Sequence, residues 1–170
     1  MVAACLFLLI GCGGRPTMKD QFQTLSQRPD IDAATARYQR MQTEIRNRLA
    51  AELGPMEWKE SHPVSRSGCA DFADVPAAES RSLGLWSFPH SIPDDQWSRA
   101  VAIITEINAA YGFGQPGHRV NSPGHHEVLS VDPLGATYTL GTSVHTTLLF
   151  HTGCHLEAKA HPANAAKPTT

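Results

Sequence analysis

The sequence predicts an α+β fold in which two amphipathic helices pack on a mainly antiparallel sheet ending in a three-stranded meander. Apolar residues recur at three- and four-residue steps in two long segments, and the C-terminal third alternates apolar and polar residues between turn signals. Each helix has a single apolar stripe, so a sheet buried on one face is a suitable partner. The 170 residues have room for one ordinary domain, which we expect over residues 29–158.

The first helix is predicted to begin near Asp30 and to run for about 22 residues. Asp30 and Asp32 offer side-chain oxygens and negative charge at a helix start. Gly54 and Pro55 provide a stop, because proline cannot continue the helix. The apolar stripe consists of Tyr38, Met41, Ile45, Leu49 and Leu53.

The second helix is predicted to start within residues 91–95, which read Ser-Ile-Pro-Asp-Asp. The proline suits the first turn, and the acids face the positive end of the helix dipole. Gly112 ends this helix. Its apolar face consists of Trp97, Ala100, Val101, Ile104, Ile107 and Tyr111.

Between the helices, residues 56–61 and 83–88 are candidate strands, and residues 62–82 are predicted to form a long loop rich in small and turn-forming residues.

The predicted meander occupies the C-terminal third. Its strands are residues 127–131, 136–140 and 144–150, with Asp-Pro-Leu-Gly at 132–135 as the first turn and residues 141–143 as the second.

The N-terminus is predicted to carry a secretion signal. Residues 2–11 form an apolar run too short to span a bilayer. Residues 9–12 read Leu-Ile-Gly-Cys, the pattern of a bacterial lipobox, which predicts cleavage after residue 11 and lipidation of Cys12. Two acyl chains on that cysteine would anchor the protein stably to a membrane. No basic residue precedes Val2, which departs from the usual signal, and a buried N-terminal strand is the alternative.

Both ends of the mature chain lack strong periodicity. Residues 12–28 are polar and are expected to form a tether between the lipid and the domain. Residues 159–170 are rich in Ala, Pro and Thr and are expected to be disordered.

Two of the four cysteines lie in the N-terminal segment, so Cys69 and Cys154 remain for the domain. Outside the cytoplasm such a pair most economically forms a disulfide. A metal-binding pair and a reactive thiol are alternatives, because His151 and His155 flank Cys154.

Composition excludes nucleic acid as a partner. Fourteen Lys and Arg against sixteen Asp and Glu give a net charge of −2, without a basic cluster. Residues 112–117 match G-x-G-x-x-G, but they follow a helix and contain a proline, so the sequence predicts no dinucleotide or other cofactor.

Nine histidines are the unusual feature of the composition. Imidazoles that converge with a carboxylate such as Glu127 or Asp132 could hold Zn²⁺. No H-E-x-x-H motif or G-x-S-x-G elbow is present, so we expect no catalytic residues. The candidate metal ligands are His125, His126, His145, His151 and His155.

The chain resembles the mycobacterial LppA-like lipoproteins in residues 9–12, 117–128, 132–136 and 152–155. The resemblance implies attachment to the membrane and exposure to the cell envelope, and it brings no catalytic residue with it. We therefore expect a lipid-anchored lipoprotein on the extracytoplasmic face that serves as a binding or interaction module. Its partners would be the membrane, through the lipid, and an envelope protein, lipid or glycan. The alternative is a His-rich metal-binding or hydrolytic envelope enzyme.

Overall fold

The computed structural model describes residues 15–165, and these form an α+β domain with one disulfide, as predicted. The helices are α1 (Met18–Ser26), α2 (Ile31–Leu53), α3 (Asp94–Tyr111) and α4 (Pro162–Ala165). The strands are β1 (Lys59–His62), β2 (Ser65–Gly68), β3 (Ala78–Ser82), β4 (Leu85–Phe88), β5 (Gly117–Ser122), β6 (His125–Val131), β7 (Thr137–Thr142), β8 (Thr146–His151) and β9 (His155–Leu156).

All strand pairs in the sheet are antiparallel, in the order β1-β4-β8-β7-β6-β5, with β3 joined to β2, β8 and β9. The three-stranded meander is confirmed as β6, β7 and β8. Its second turn lies later than predicted, at residues 143–145, because Gly141 and Thr142 still pair with β8.

Both long helices form where the sequence predicts them. The carboxylate of Asp30 caps α2 by accepting hydrogen bonds from the backbone N–H groups of Asp32 and Ala33, at 3.0 and 2.9 Å. Helix α3 ends at Gly112, which takes the left-handed conformation with φ of 74°.

The main core lies between these two helices and one face of the sheet. Val128, Leu140 and Leu148 are cross-strand neighbours on that face, and all three are fully buried. On the opposite face, Leu129 and Leu149 are only half-buried. The helical side of the core contains Tyr38, Met41, Ile45, Leu49, Trp97, Ala100, Ile103, Ile104 and Ile107.

A second, smaller core surrounds the disulfide. Cys69 and Cys154 are bonded, with their Cα atoms 5.9 Å apart, which confirms the predicted pairing. The buried members of this second core are Leu25, Cys69, Val75, Ala78 and Leu156.

The expected tether over residues 12–28 is wrong for residues 18–26, which form α1. Thr17 and Asp20 form a capping box at the start of this helix, and Leu25 is fully buried in the second core. A nine-residue helix with one deeply buried apolar side chain has too little periodicity to stand out in the sequence.

The expected disorder of residues 159–170 is also wrong for the part that the structure describes. Residues 158–165 form a 3₁₀ turn and α4, and His161 is buried. The Nε2 of His161 donates to the backbone carbonyl of Arg28 at 2.8 Å, because its Nδ1 accepts from the N–H of Ala163.

The long loop predicted over residues 62–82 instead contains β2 and β3. Strand β2 is exposed and polar, so it lacks the alternation that identifies a half-buried strand. Strand β5 was not predicted for the same reason, because five of its six residues are exposed.

The signal segment at residues 1–11 and the lipidation site at Cys12 lie outside the described residues. Between residues 15 and 165, every helix is too short or too polar to cross a membrane.

A buried carboxylate links the meander to α2. Asp132 Oδ1 accepts hydrogen bonds from the backbone N–H groups of Leu134 and Ala136, each at 2.8 Å, and Oδ2 accepts one from the Tyr38 hydroxyl. Burial and the neighbouring carboxylate raise the pKa of Tyr38, so the phenol keeps the proton that it donates.

We predict that Tyr38→Phe lowers the free energy of unfolding by about 1–3 kcal/mol, because the buried Asp132 loses one donor. Tyr111→Phe is the matched control, since that hydroxyl meets Glu44 at the surface, and should change stability by less than about 0.5 kcal/mol. Urea unfolding monitored by circular dichroism measures both. Equal effects of the two variants would contradict the prediction.

Candidate functional site

The five candidate metal ligands do not converge. His125, His126 and His145 line one recess of about 260 Å³, beside the turn that joins β7 to β8. His151 lies at the far end of β8 and His155 in β9. We call the first location the histidine recess. Its full lining is His125, His126, Glu127, Gly141, Thr142, Ser143, Val144, His145 and Thr147.

His126 is committed to the fold. It is 7% exposed, and its ring stacks on Trp97 with centroids 5.1 Å apart. Its ring nitrogens lie 2.9 Å from Oδ1 of Asp94 and 2.8 Å from Oδ1 of Asn121. Because Asp94 begins α3 and Asn121 belongs to β5, this histidine joins the β5–β6 hairpin to that helix.

Asp94 forms a second bond between α3 and the β5–β6 hairpin. Its carboxylate accepts a hydrogen bond from the backbone N–H of Gly124, in the turn of the β5–β6 hairpin, at 2.9 Å. That bond and the one with His126 lower the pKa of Asp94, which keeps the carboxylate ionised. Asp94, a charged group that already has its partners, therefore holds in place the β5–β6 hairpin that contributes His125 and His126 to the histidine recess.

The floor of the recess is a notch at Gly141, which is itself buried. This glycine lies opposite Glu127 on β6 and Thr147 on β8, on the sheet face turned away from the helices. A Cβ atom at residue 141 would stand 3.6 Å from the Thr147 hydroxyl and 3.7 Å from the Glu127 carboxylate. With exposed His125 and His145 beside it, the notch presents a carboxylate, a hydroxyl and two imidazoles to solvent.

His155 has a structural role. It is fully buried, and its ring nitrogens lie 2.8 Å from the carbonyl oxygen of Pro29 and 2.9 Å from that of Thr152. Burial lowers the pKa of His155 and outweighs the two carbonyl oxygens, which raise it, so the neutral ring is favoured in the folded protein. The neutral ring has one N–H and therefore donates to one of the two carbonyl oxygens. Together with His161, it holds the carbonyl groups of Arg28 and Pro29, which connect α1 to α2.

The remaining candidate metal ligands either form hydrogen bonds within the fold or lie apart from the other candidates. The Asp132 carboxylate is occupied by the three donors described above, and His151 is exposed near the disulfide. Within residues 15–165, no group of three His, Cys, Asp or Glu side chains is placed to hold a metal ion. The five candidate ligands therefore form no common metal site among the described residues.

The domain has a second recess, which the sequence does not predict. It has a volume of about 380 Å³, lies between α1 and the segment before β3, and is almost entirely apolar. The available signal was the four-residue spacing of Met18 and Phe22, which places both on one face of a helix. We call it the apolar recess, and it is lined by Met18, Lys19, Phe22, Val75, Pro76 and Ala77.

The sheet is covered by helices on one face, and one disulfide crosslinks the domain. Small α+β domains with a disulfide are typical of oxidising compartments. Residues 13–158 match the LppA family, described as a lipoprotein confined to pathogenic Mycobacterium, and the chain belongs to this family.

Two solved structures share the fold. A crystal structure of LppA from Mycobacterium tuberculosis aligns with a TM-score of 0.70 at 16% identity, over 89% of this chain and 95% of that one. A DUF4853 family protein from Actinomyces odontolyticus aligns with a TM-score of 0.60 at 12% identity, over 85% of this chain and 78% of that one. Among curated proteins, none matches this chain.

We predict that acidification destabilises the protein through His155. The folded state favours the neutral ring, whereas the unfolded chain binds a proton near pH 6.5. The contribution of His155 to the free energy of unfolding is therefore fully present above pH 6.5 and is lost as the pH drops below that value. Urea unfolding between pH 7.5 and 5.5 should show a smaller loss for His155→Gln than for the natural protein.

His118→Gln is the matched control for this titration, because His118 is exposed on β5. It should keep the natural pH dependence. An unchanged dependence in His155→Gln would contradict the assignment.

Proposed function

We propose that the protein is anchored to the outer face of a membrane by a lipid on Cys12 and that the domain binds a ligand of the cell envelope there. The description of the family as a lipoprotein supports the anchor. So does the disulfide, which is typical of a compartment outside the cytoplasm.

The observation that carries the anchor is the distribution of the four cysteines. Cys69 and Cys154 are consumed by the disulfide, which leaves Cys5 and Cys12. Only Cys12 follows Leu-Ile-Gly, the pattern at which a lipoprotein signal is modified and cleaved.

The anchor is tested by feeding labelled palmitate to a bacterium that processes lipoproteins and expresses the full chain. The natural chain should take up the label, and Cys12→Ser should lose at least nine-tenths of it. Cys5→Ser is the matched control, because that cysteine leaves with the signal, and it should label normally. Retention of the label in Cys12→Ser would refute the anchor.

For the binding role, the histidine recess is the surface with the best-defined chemistry. Asp94 holds the β5–β6 hairpin that borders it. Glu127, Thr147, His125 and His145 offer hydrogen-bonding groups toward solvent. Its volume of about 260 Å³ suits a small polar group rather than a large apolar ligand. A hydroxyl-bearing ligand, such as the end of a cell-wall glycan, fits these groups.

We predict that Gly141→Ala weakens glycan binding at least threefold, because the added methyl group enters the notch between Glu127 and Thr147. The probe is a mixture of soluble cell-wall glycan fragments, and the readout is the shift of the imidazole NMR signals of His125 and His145. The ordinary contact distances at Gly141 allow the variant to keep its fold.

Gly117→Ala is the matched control, because Gly117 is also a strand glycine, and the nearest atom would lie 3.9 Å from a Cβ added there. It should bind like the natural protein. Glycan binding that is equally strong in both variants, or no imidazole shifts at all, would refute this use of the recess.

A further inference from the structure

Helix α1 exposes large apolar side chains to solvent. Met18 is 60% exposed and Phe22 is 37% exposed, and their four-residue spacing places them on the same face of the helix. They form one wall of the apolar recess, and residues 75–77 form the other. Exposed apolar side chains that adjoin a concave apolar surface typically mark a contact site.

Neither side chain belongs to either hydrophobic core. Helix α1 is held to the domain by other residues, because Leu25 is fully buried and Gln21 donates to the Asp74 carboxylate at 2.8 Å. Because Met18 and Phe22 still expose apolar surface, that surface is available for contact with something outside the domain.

The position of α1 in the chain indicates what covers this face. Cys12 lies six residues before Met18, and six extended residues span at most about 20 Å. A lipid on Cys12 would therefore keep the start of α1 within roughly that distance of the headgroups. This step rests on the proposed anchor.

The charges around the recess are balanced. Arg15 and Lys19 are exposed cations, while Asp20 and Asp74 supply two negative charges. The capping hydrogen bonds from Thr17 lower the pKa of Asp20, so its carboxylate stays ionised. Apolar contact, rather than net attraction to anionic lipid, should therefore dominate at this surface.

We infer that the exposed face of α1, together with residues 75–77, is a membrane-contact surface that rests in the headgroup region and orients the anchored domain. Met18 and Phe22 insert shallowly between lipids, in the manner of an interfacial helix. The lipid supplies the attachment, and this surface sets which side of the domain faces the membrane.

The test uses the full chain, processed in a bacterial host and reconstituted into vesicles of phosphatidylethanolamine and phosphatidylglycerol that contain a lipid with a doxyl quencher near its headgroup. Phe22→Trp and Met18→Trp place a fluorophore on the proposed surface. Val144→Trp is the matched control, because Val144 is 75% exposed in the turn between β7 and β8. The fluorescence of the natural protein supplies the background.

We expect the added tryptophan at residue 22 or 18 to be quenched at least twofold more than the one at residue 144. Similar quenching at all three positions in chains that float with the vesicles would overturn the membrane contact and leave the anchor standing. Chains that neither float nor carry a lipid mass would overturn both proposals. The Phe22→Trp and Met18→Trp variants are compared with the control separately, so a fold defect in one of them does not decide the result.

Discussion

The disulfide between Cys69 and Cys154 is the constraint on which the N-terminal end of the domain depends. It closes a separation of 85 residues, which is worth on the order of 4–5 kcal/mol in the chain-entropy description. The bond joins the segment after β2 to the segment after β8, and the second core assembles around it. Leu25 of α1 is buried in that core, so the first helix is held by contacts that the disulfide organises.

Hydrogen bonds also fix the connection between α1 and α2, next to the second core. The Arg28 guanidinium donates to the carbonyl oxygens of Leu134 and Cys154, at 3.0 and 2.8 Å, and lies over the ring of Phe72. His155 and His161 bind the carbonyl groups of the same connection between α1 and α2. Two of the nine histidines thus help to fix the connection between α1 and α2. The folded domain therefore includes α1, and residues 18–26 are not a tether. A lipid on Cys12 would then act on a folded unit only a few residues away, which is what gives the apolar recess its proposed role.

The sequence predicted the elements that have a periodic apolar stripe and missed several that lack one. Helices α2 and α3 and the meander each place apolar residues at a regular step, whereas β2 and β5 are exposed and polar. The disulfide followed from counting cysteines. The histidine recess could be predicted only in part, because the notch depends on the register that sets Gly141 between Glu127 and Thr147. The contacts of His126 with Asp94 and Trp97 could not be predicted, because they join segments that are far apart in the sequence.

The claim that α1 is a fixed part of the domain is tested most directly by amide hydrogen exchange at residues 21–26 in the full chain, measured before and after reduction of the disulfide. We expect these amides to be protected in the oxidised protein and to exchange at least tenfold faster once Cys69 and Cys154 are reduced, because the second core then loses its crosslink. Exchange at the rate of an unstructured chain in the oxidised protein would contradict the claim, and with it the fixed membrane-facing surface.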